Sequence, residues 1–163
     1  MWPAFSTAEI ELRDRIRAFL AEALPPRGAI PEDGWIHGFD PEFSRKLGAA
    51  GFIGMTWPTA YGGAGRNYVD RAIVTEELLR AGAPTAAHWV GDRQIGPALL
   101  AHGTEDQRRE IVPRLARGEL VFCLGMSEPG AGSDLAALST RAIDDGDAFV
   151  VEGQKVWTSF AHH

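Results

Sequence analysis

Over the first two thirds of the chain, apolar residues recur at spacings of three and four, separated by turn-forming residues. Ser6 and Glu9 make a Ser-x-x-Glu capping box ahead of Ile10, Leu12, Ile16, Phe19, Leu20 and Leu24, which the spacing places on one helical face. Pro25-Pro26 ends that helix, because proline has no N–H to continue it. Asp40-Pro41 combines an N-cap with proline at the first helical position, and the helix runs to Gly51. A loop rich in glycine and proline follows, through Trp57-Pro58 to Gly65. A third helix is predicted from about Val69 to Ala81, with Ile73, Val74, Leu78 and Leu79 inward and Gly82 as its stop. A fourth segment runs through Trp89. A fifth, Ile95 to His102, closes at Gly103. Thr104 and Gln107 make a second capping box, and their helix meets Pro113, where a kink or break is expected, before stopping at Gly118.

After Gly118 the period changes. Val121-Phe122-Cys123-Leu124 suits a buried strand, and Leu138 to Ile143 alternates in part. Asp144 to Asp147 forms a turn. Phe149-Val150-Val151 and Val156-Trp157 flank Glu152-Gly153, which has the pattern of a hairpin. Helices followed by strands imply an α+β chain with a boundary near residue 120. The stretch 120–163 is too short to bury a core alone. It ends at His162-His163 directly after a strand-like run. This leads us to expect either a fragment or a chain that needs a partner.

Composition narrows the function. Apolar residues make up 45 % of the chain, charged residues 23 %, and the net charge is -6. That is the balance of a globular chain. It argues against binding nucleic acid or an anionic membrane. No apolar run reaches the length of a membrane span, and the acidic residues Glu9, Glu11 and Asp14 interrupt any signal peptide, so a cytoplasmic protein is expected. The single cysteine, Cys123, is expected to be a buried, inert thiol. The histidines show no metal-ligand spacing and suit caps and surface positions. Arg93 and the Glu76-Glu77 pair suit solvated helix faces, and Asp144-Asp145 a turn.

Two segments suggest chemistry. In Ser127-Glu128-Pro129-Gly130-Ala131-Gly132-Ser133-Asp134 the glycines allow close approach of a ligand to the backbone, and successive N–H groups with two serine hydroxyls suit an anion. A dinucleotide-fold reading of Gly130-x-Gly132 fails, because Leu135 stands where glycine or alanine is needed. In Gly153-Gln154-Lys155-Val156-Trp157-Thr158-Ser159, an indole beside two hydroxyls suits the wall of a planar cofactor site. Taken alone, each segment has a plainer alternative, a surface turn and a cross-strand aromatic.

Together, after a helical region, these segments closely resemble the acyl-CoA dehydrogenases. Gly51-Phe52-x-Gly54, Tyr61-Gly62-Gly63-x-Gly65, Gly103-Thr104-Glu105-x-Gln107 and Leu115-Ala116-x-Gly118-Glu119 agree with that family, and the resemblance covers nearly the whole chain. It implies an all-α N-terminal helical domain over 1–119 and the first strands of a β-barrel domain over 120–163, truncated. It also implies FAD as cofactor. Leu124, Met126 and Ser127 would line the flavin, with the Ser127 hydroxyl at the ring system. Gly132 and Ser133 would lie toward the pyrophosphate and the CoA portion, Ser133 being the residue expected to touch substrate. Trp157, Thr158 and Ser159 would pack at the flavin face. The family often has threonine where Ser127 stands and isoleucine where Thr158 stands.

The implied reaction is α,β-dehydrogenation of an acyl-CoA thioester, with hydride passing to flavin N5 and electrons leaving to an acceptor such as an electron-transfer flavoprotein. The full-length form is expected to be a homo- or hetero-oligomer. The family's base is a glutamate of the later helical region, so no catalytic residue is assigned here and the base is expected beyond residue 163 or on another polypeptide. Two alternatives stand beside this one. The chain is otherwise part of a same-fold flavoenzyme, an acyl-CoA oxidase or flavin monooxygenase relative, or a non-catalytic subunit that pairs with a catalytic partner.

Overall fold

The computed structural model describes residues 4–26 and 33–163; the first three residues, part of the signal-peptide argument, lie outside it. The chain divides between Phe122 and Cys123 into two units.

The first unit is helical: α1 Thr7–Ala23, α2 Gly34–His37, α3 Pro41–Ala49, α4 Tyr68–Arg80, α5 Ala86–Val90, α6 Gly96–His102 and α7 Glu105–Ala116. The α1 capping box is formed, with the Ser6 N–H donating to the Glu9 carboxylate at 2.7 Å. The helix stops at Leu24, whose backbone is extended ahead of Pro25, as a residue before proline must be. Leu12, Ile16 and Leu20 are buried, whereas Ile10 is exposed. Ile10 lies about 200° around the helix from Leu12, off the inward face. Asp40 caps α3 through the Phe43 N–H at 2.9 Å. Phe43 and Leu47 of α3, Phe52 to Met55, and Val74 and Leu78 of α4 complete this core, with Phe19 set edge-on to Phe52. Leu79 is exposed, against expectation, because Leu78 and Val74 already fill the inward positions of α4.

A second cluster surrounds Trp57, which packs with Val112, Leu115 and Ala116 of α7. Glycines stand where Trp57 leaves no room, against its ring or its backbone. A Cβ on Gly96 would lie 2.1 Å from Trp57 Cζ2, and one on Gly63 2.3 Å from the Trp57 carbonyl oxygen. The fourth and fifth segments are in fact one run, α5 to α6, joined by a π-helical turn, Gly91–Ile95. That turn buries Asp92, which accepts the Gly54 N–H at 2.8 Å. Arg93 is not a solvated charge. It pairs with Asp92 at 3.0 Å, donates to Thr75 Oγ1 at 2.7 Å and lies over the Trp89 ring. Pro113 does not break α7: the helix runs through it to Ala116, the missing N–H costing one bond near the helix end while buried Val112, Leu115 and Ala116 hold the turn in place.

Two polar residues are buried where the sequence pointed to solvent. Glu77 sits under Arg13, Arg17 and Arg80, with contacts of 2.8 Å to Arg17 and 2.6 Å to Arg80. Burial alone would raise its pKa; the arginine hydrogen bonds more than offset this and hold it below the ordinary carboxylate value. His88 is buried, its Nδ1 2.8 Å from Ser44 Oγ. Ser44 Oγ also lies 3.1 Å from the Asp40 carbonyl oxygen, so the hydroxyl sits between that acceptor and the imidazole. Burial, with a smaller contribution from Arg93, pushes the His88 pKa down to about 4.

The second unit carries an antiparallel pair, β1 Arg141–Asp144 and β2 Phe149–Glu152, with Arg141 opposite Glu152 and Asp144 opposite Phe149. The α+β order of helices then strands is therefore present. The hairpin pivots between Asp144 and Phe149, where Asp144 Oδ1 accepts the Gly146 N–H at 3.0 Å and Gly146 has a φ of 84°. It does not pivot at Glu152-Gly153. Neither 121–124 nor 156–157 forms a strand, and Cys123 is exposed rather than buried, because among the described residues no strand pairs with them. Every residue of β1 and β2 is exposed.

Amide exchange is expected to concentrate protection in α1, α4 and α7, with β1 and β2 exchanging at least tenfold faster, since a two-stranded ribbon without a packed face is marginal. Equal protection in the ribbon would contradict this. Glu77→Ala should lower the unfolding free energy by about 2 kcal/mol in denaturant titrations, from lost charged hydrogen bonds. His88 has a folded pKa below its unfolded value of ~6.5, so its contribution is complete above that value and is lost as pH falls toward about 4. Stability should therefore drop by about 3 kcal/mol across that window. His88→Gln should flatten the slope, as read by unfolding at stepped pH.

Candidate functional site

The two segments singled out in the sequence meet inside the second unit. Pro129-Gly130 forms the tip of a tight turn closed by reciprocal backbone bonds, Glu128 N–H to the Ala131 carbonyl at 2.8 Å and Ala131 N–H to the Glu128 carbonyl at 3.1 Å. The Glu128 side chain turns inward and is only 6 % exposed. One carboxylate oxygen accepts the Ser139 N–H at 2.7 Å and the Ser139 hydroxyl at 2.8 Å. The other accepts the Thr140 N–H and the Lys155 ammonium, both at 2.9 Å. The donors of Thr140, Ser139 and Lys155 hold this carboxyl far below the usual carboxylate range.

Lys155 also donates to the Met126 carbonyl at 2.9 Å, and the Val156 N–H donates to the Ser127 carbonyl at 2.9 Å. These bonds lay 155–156 alongside 126–128. Gly125 permits the approach: a Cβ there would lie 3.3 Å from Lys155 Cγ and 3.6 Å from Thr158 Oγ1. Leu124, Met126, Ser127, Trp157, Thr158 and Ser159 thus belong to one small region. Ser127 and Thr158 are half-buried, and Ser159 is exposed. Leu124 and Met126 are 37 % and 44 % exposed. Trp157 is 90 % exposed and has a φ of 58°, an unusual conformation for a bulky residue.

Gly132 and Ser133 lie on the exposed far side of the turn. At Gly130 and Gly132 an added Cβ would meet nothing within 4 Å. The N–H groups of Gly130, Gly132 and Ser133 donate to no other described residue. Exposed apolar side chains, neighbouring hydroxyls and open backbone donors beside glycine fit a planar group with an anionic tail. Neither Glu128 nor Lys155 stands out in the sequence as a functional residue. Their signal was a carboxylate directly before the Pro-Gly turn and a lysine directly before Val156-Trp157. Among the described residues no cluster of His, Cys, Asp and Glu suits a metal. No helix among them is long and apolar enough to cross a membrane.

Comparison with known proteins follows the same division. Residues 6–119 match the model of the acyl-CoA dehydrogenase N-terminal domain, and residues 123–163 that of the middle domain. Acyl-CoA dehydrogenase FadE26 of Mycobacterium tuberculosis is 36 % identical over 98 % of this chain and 41 % of its own length. The ChsE4-ChsE5 complex from Mycobacterium tuberculosis superposes with a TM-score of 0.85 at 38 % identity, over 99 % of this chain and 41 % of that one. The Tcur3481-Tcur3483 steroid ACAD gives 0.83 at 40 % identity, over 98 % and 41 %. A glutaryl-CoA dehydrogenase from Mycobacterium smegmatis in complex with FADH2 gives 0.76 at 28 % identity, over 94 % and 39 %. The chain spans about two fifths of the length of these relatives. Helical and strand units in this order, with both family models matched across them, lead to one conclusion: the chain belongs to the acyl-CoA dehydrogenase family.

Proposed function

We propose that this chain supplies part of the flavin and acyl-CoA site of an FAD-dependent acyl-CoA dehydrogenase working in the cytoplasm, with domains over 1–119 and 120–163. The observation that carries this is the joining of 124–133 to 155–159 around open glycine backbone. The likeness to a dehydrogenase with FADH2 supports the choice of cofactor. When bound, FAD supplies the two-electron acceptor for hydride leaving the β carbon.

The chain's own groups position and shield. Leu124, Met126 and the exposed Trp157 indole offer apolar surface that excludes water from a ring system. The Ser127 hydroxyl, whose peptide carbonyl is already taken by Val156, is the polar group that would fix ring orientation. Thr158 and Ser159 add hydroxyls beside it. Gly132 and Ser133 would serve the pyrophosphate and the CoA portion through N–H donors, with Ser133 Oγ nearest the substrate. No residue of this chain is assigned as the base that removes the α proton. We place it on later sequence or a partner polypeptide.

The likeness to a steroid dehydrogenase supports a ring-bearing acyl-CoA as substrate, and the likeness to a two-component complex supports a hetero-oligomeric full-length form. An electron-transfer flavoprotein is the proposed acceptor.

Two experiments test this reading. The 163-residue chain with added FAD should turn over no straight-chain, branched or steroidal acyl-CoA above a protein-free control. Turnover would place a base within the chain. In the full-length polypeptide, Ser127→Ala should slow flavin reduction about tenfold to a hundredfold, the kinetic equivalent of one hydrogen bond to a polarised group. Ser133→Ala should instead raise KM for the CoA ester with an unchanged flavin spectrum. Stopped-flow reduction and absorbance decide it: if Ser133→Ala strips flavin while Ser127→Ala changes nothing, the two hydroxyl roles are reversed.

A further inference from the structure

Three consecutive residues of the 124–133 segment present acceptors to one side: the Met126 carbonyl, the Ser127 carbonyl and the Glu128 carboxylate. All three are taken by two adjacent residues of the other segment, Lys155 through its ammonium and Val156 through its N–H, each at 2.9 Å. Lys155 therefore bridges the residues on either side of Ser127. Glu128 in turn has its remaining oxygen on Ser139 and shares the first with Thr140, at the entry to β1. Of the polar groups of Ser127 only the carbonyl is engaged; neither its N–H nor its hydroxyl hydrogen-bonds to another described residue.

This arrangement carries more than local order. A buried carboxylate with four donors, one of them an ammonium that also holds the Met126 carbonyl, makes a directional polar node, and such a node permits fewer geometries than apolar packing does. The second unit needs a device of this kind. Its strands are wholly exposed, so no apolar core fixes the distance between the turn and the 155–159 segment.

We propose that Glu128 and Lys155 are a positioning pair, whose ion pair sets the spacing of the Pro129-Gly130 turn against Val156–Ser159 and so shapes the seat for the flavin ring system. The pair acts through Ser127 and Trp157 and need not touch the ligand itself. The part concerning flavin rests on the function proposed above; the part concerning spacing does not.

The test uses the full-length polypeptide and the variants Glu128→Gln, Lys155→Met and Lys155→Arg, with Asp145→Asn in the exposed hairpin turn as control. Amide exchange in flavin-free protein reads the spacing, and FAD affinity with visible circular dichroism of the bound flavin reads the seat. Glu128→Gln and Lys155→Met should each speed exchange at least tenfold in 130–134 and 156–159 together, weaken FAD at least tenfold and alter the dichroism. The double variant should be no worse than the single variants, and Lys155→Arg should recover most of the wild-type signal.

Exchange that changes in one segment only, or single-variant losses that add in the double variant, would overturn the pair. So would weaker FAD binding with unchanged dichroism and exchange, which marks a direct contribution to the ligand and none to the spacing. If the wild type takes up no FAD, the proposed function fails, and the exchange arm alone still decides the spacing. If Glu128→Gln does not fold, Lys155→Met decides, since that side chain is 30 % exposed and its removal leaves the Ser139 and Thr140 donors in place.

Discussion

The helical unit depends on the enclosure of one indole. Trp57 is nearly inaccessible, and Gly54, Gly63 and Gly96 press on it from separate stretches of chain. Its carbonyl accepts the Gly65 N–H and its N–H donates to Gly54, so the loop around it is a wound structure rather than a slack connection. Asp92 then pins Gly54 from the π-helical turn. A single bulky residue thereby ties the loop, the α5–α6 run and α7 into one body. The α5–α6 run passes the ring at Gly96, where a side chain would collide with it, and the π-helical turn just before carries Asp92 within hydrogen-bond reach of Gly54.

Much of this organisation was legible in the sequence because its signals are local. The capping boxes of Ser6 with Glu9 and of Thr104 with Gln107 formed as their spacing implied, and Asp40 capped α3. The misplacements share another origin. Glu77 and His88 have the residue types of a surface, and only the arrival of Arg13 and Arg17 from α1, or of Ser44 from α3, makes their burial tolerable. Such partners lie tens of residues away, where no periodicity reports them. Leu79 and Ile10 failed for the opposite reason, since an apolar residue next to a filled face goes outward at little cost.

In the second unit, strands were expected wherever β-branched and aromatic residues ran together. Only the run with a turn of correct chemistry, Asp144 to Gly146, found a neighbour. Residues 121–124 and 156–157 have the composition of strands and pair with none. The two candidate segments were legible as motifs. What joins them was not, because a glutamate and a lysine separated by 27 residues carry no pattern that marks them as partners.

Glycine plays two opposed parts in this molecule. At 54, 63 and 96 the chain itself forbids a side chain, so any larger residue disturbs the fold directly. At 130 and 132 the chain makes no such demand: a methyl group would enter open space, on a backbone without positive φ, where replacing glycine ordinarily stiffens the unfolded state and raises stability. A redesign guided by stability alone would accept alanine at those two positions and discard the open backbone that a ligand requires. The exposed turn would become more durable and lose the opening that gives it a use.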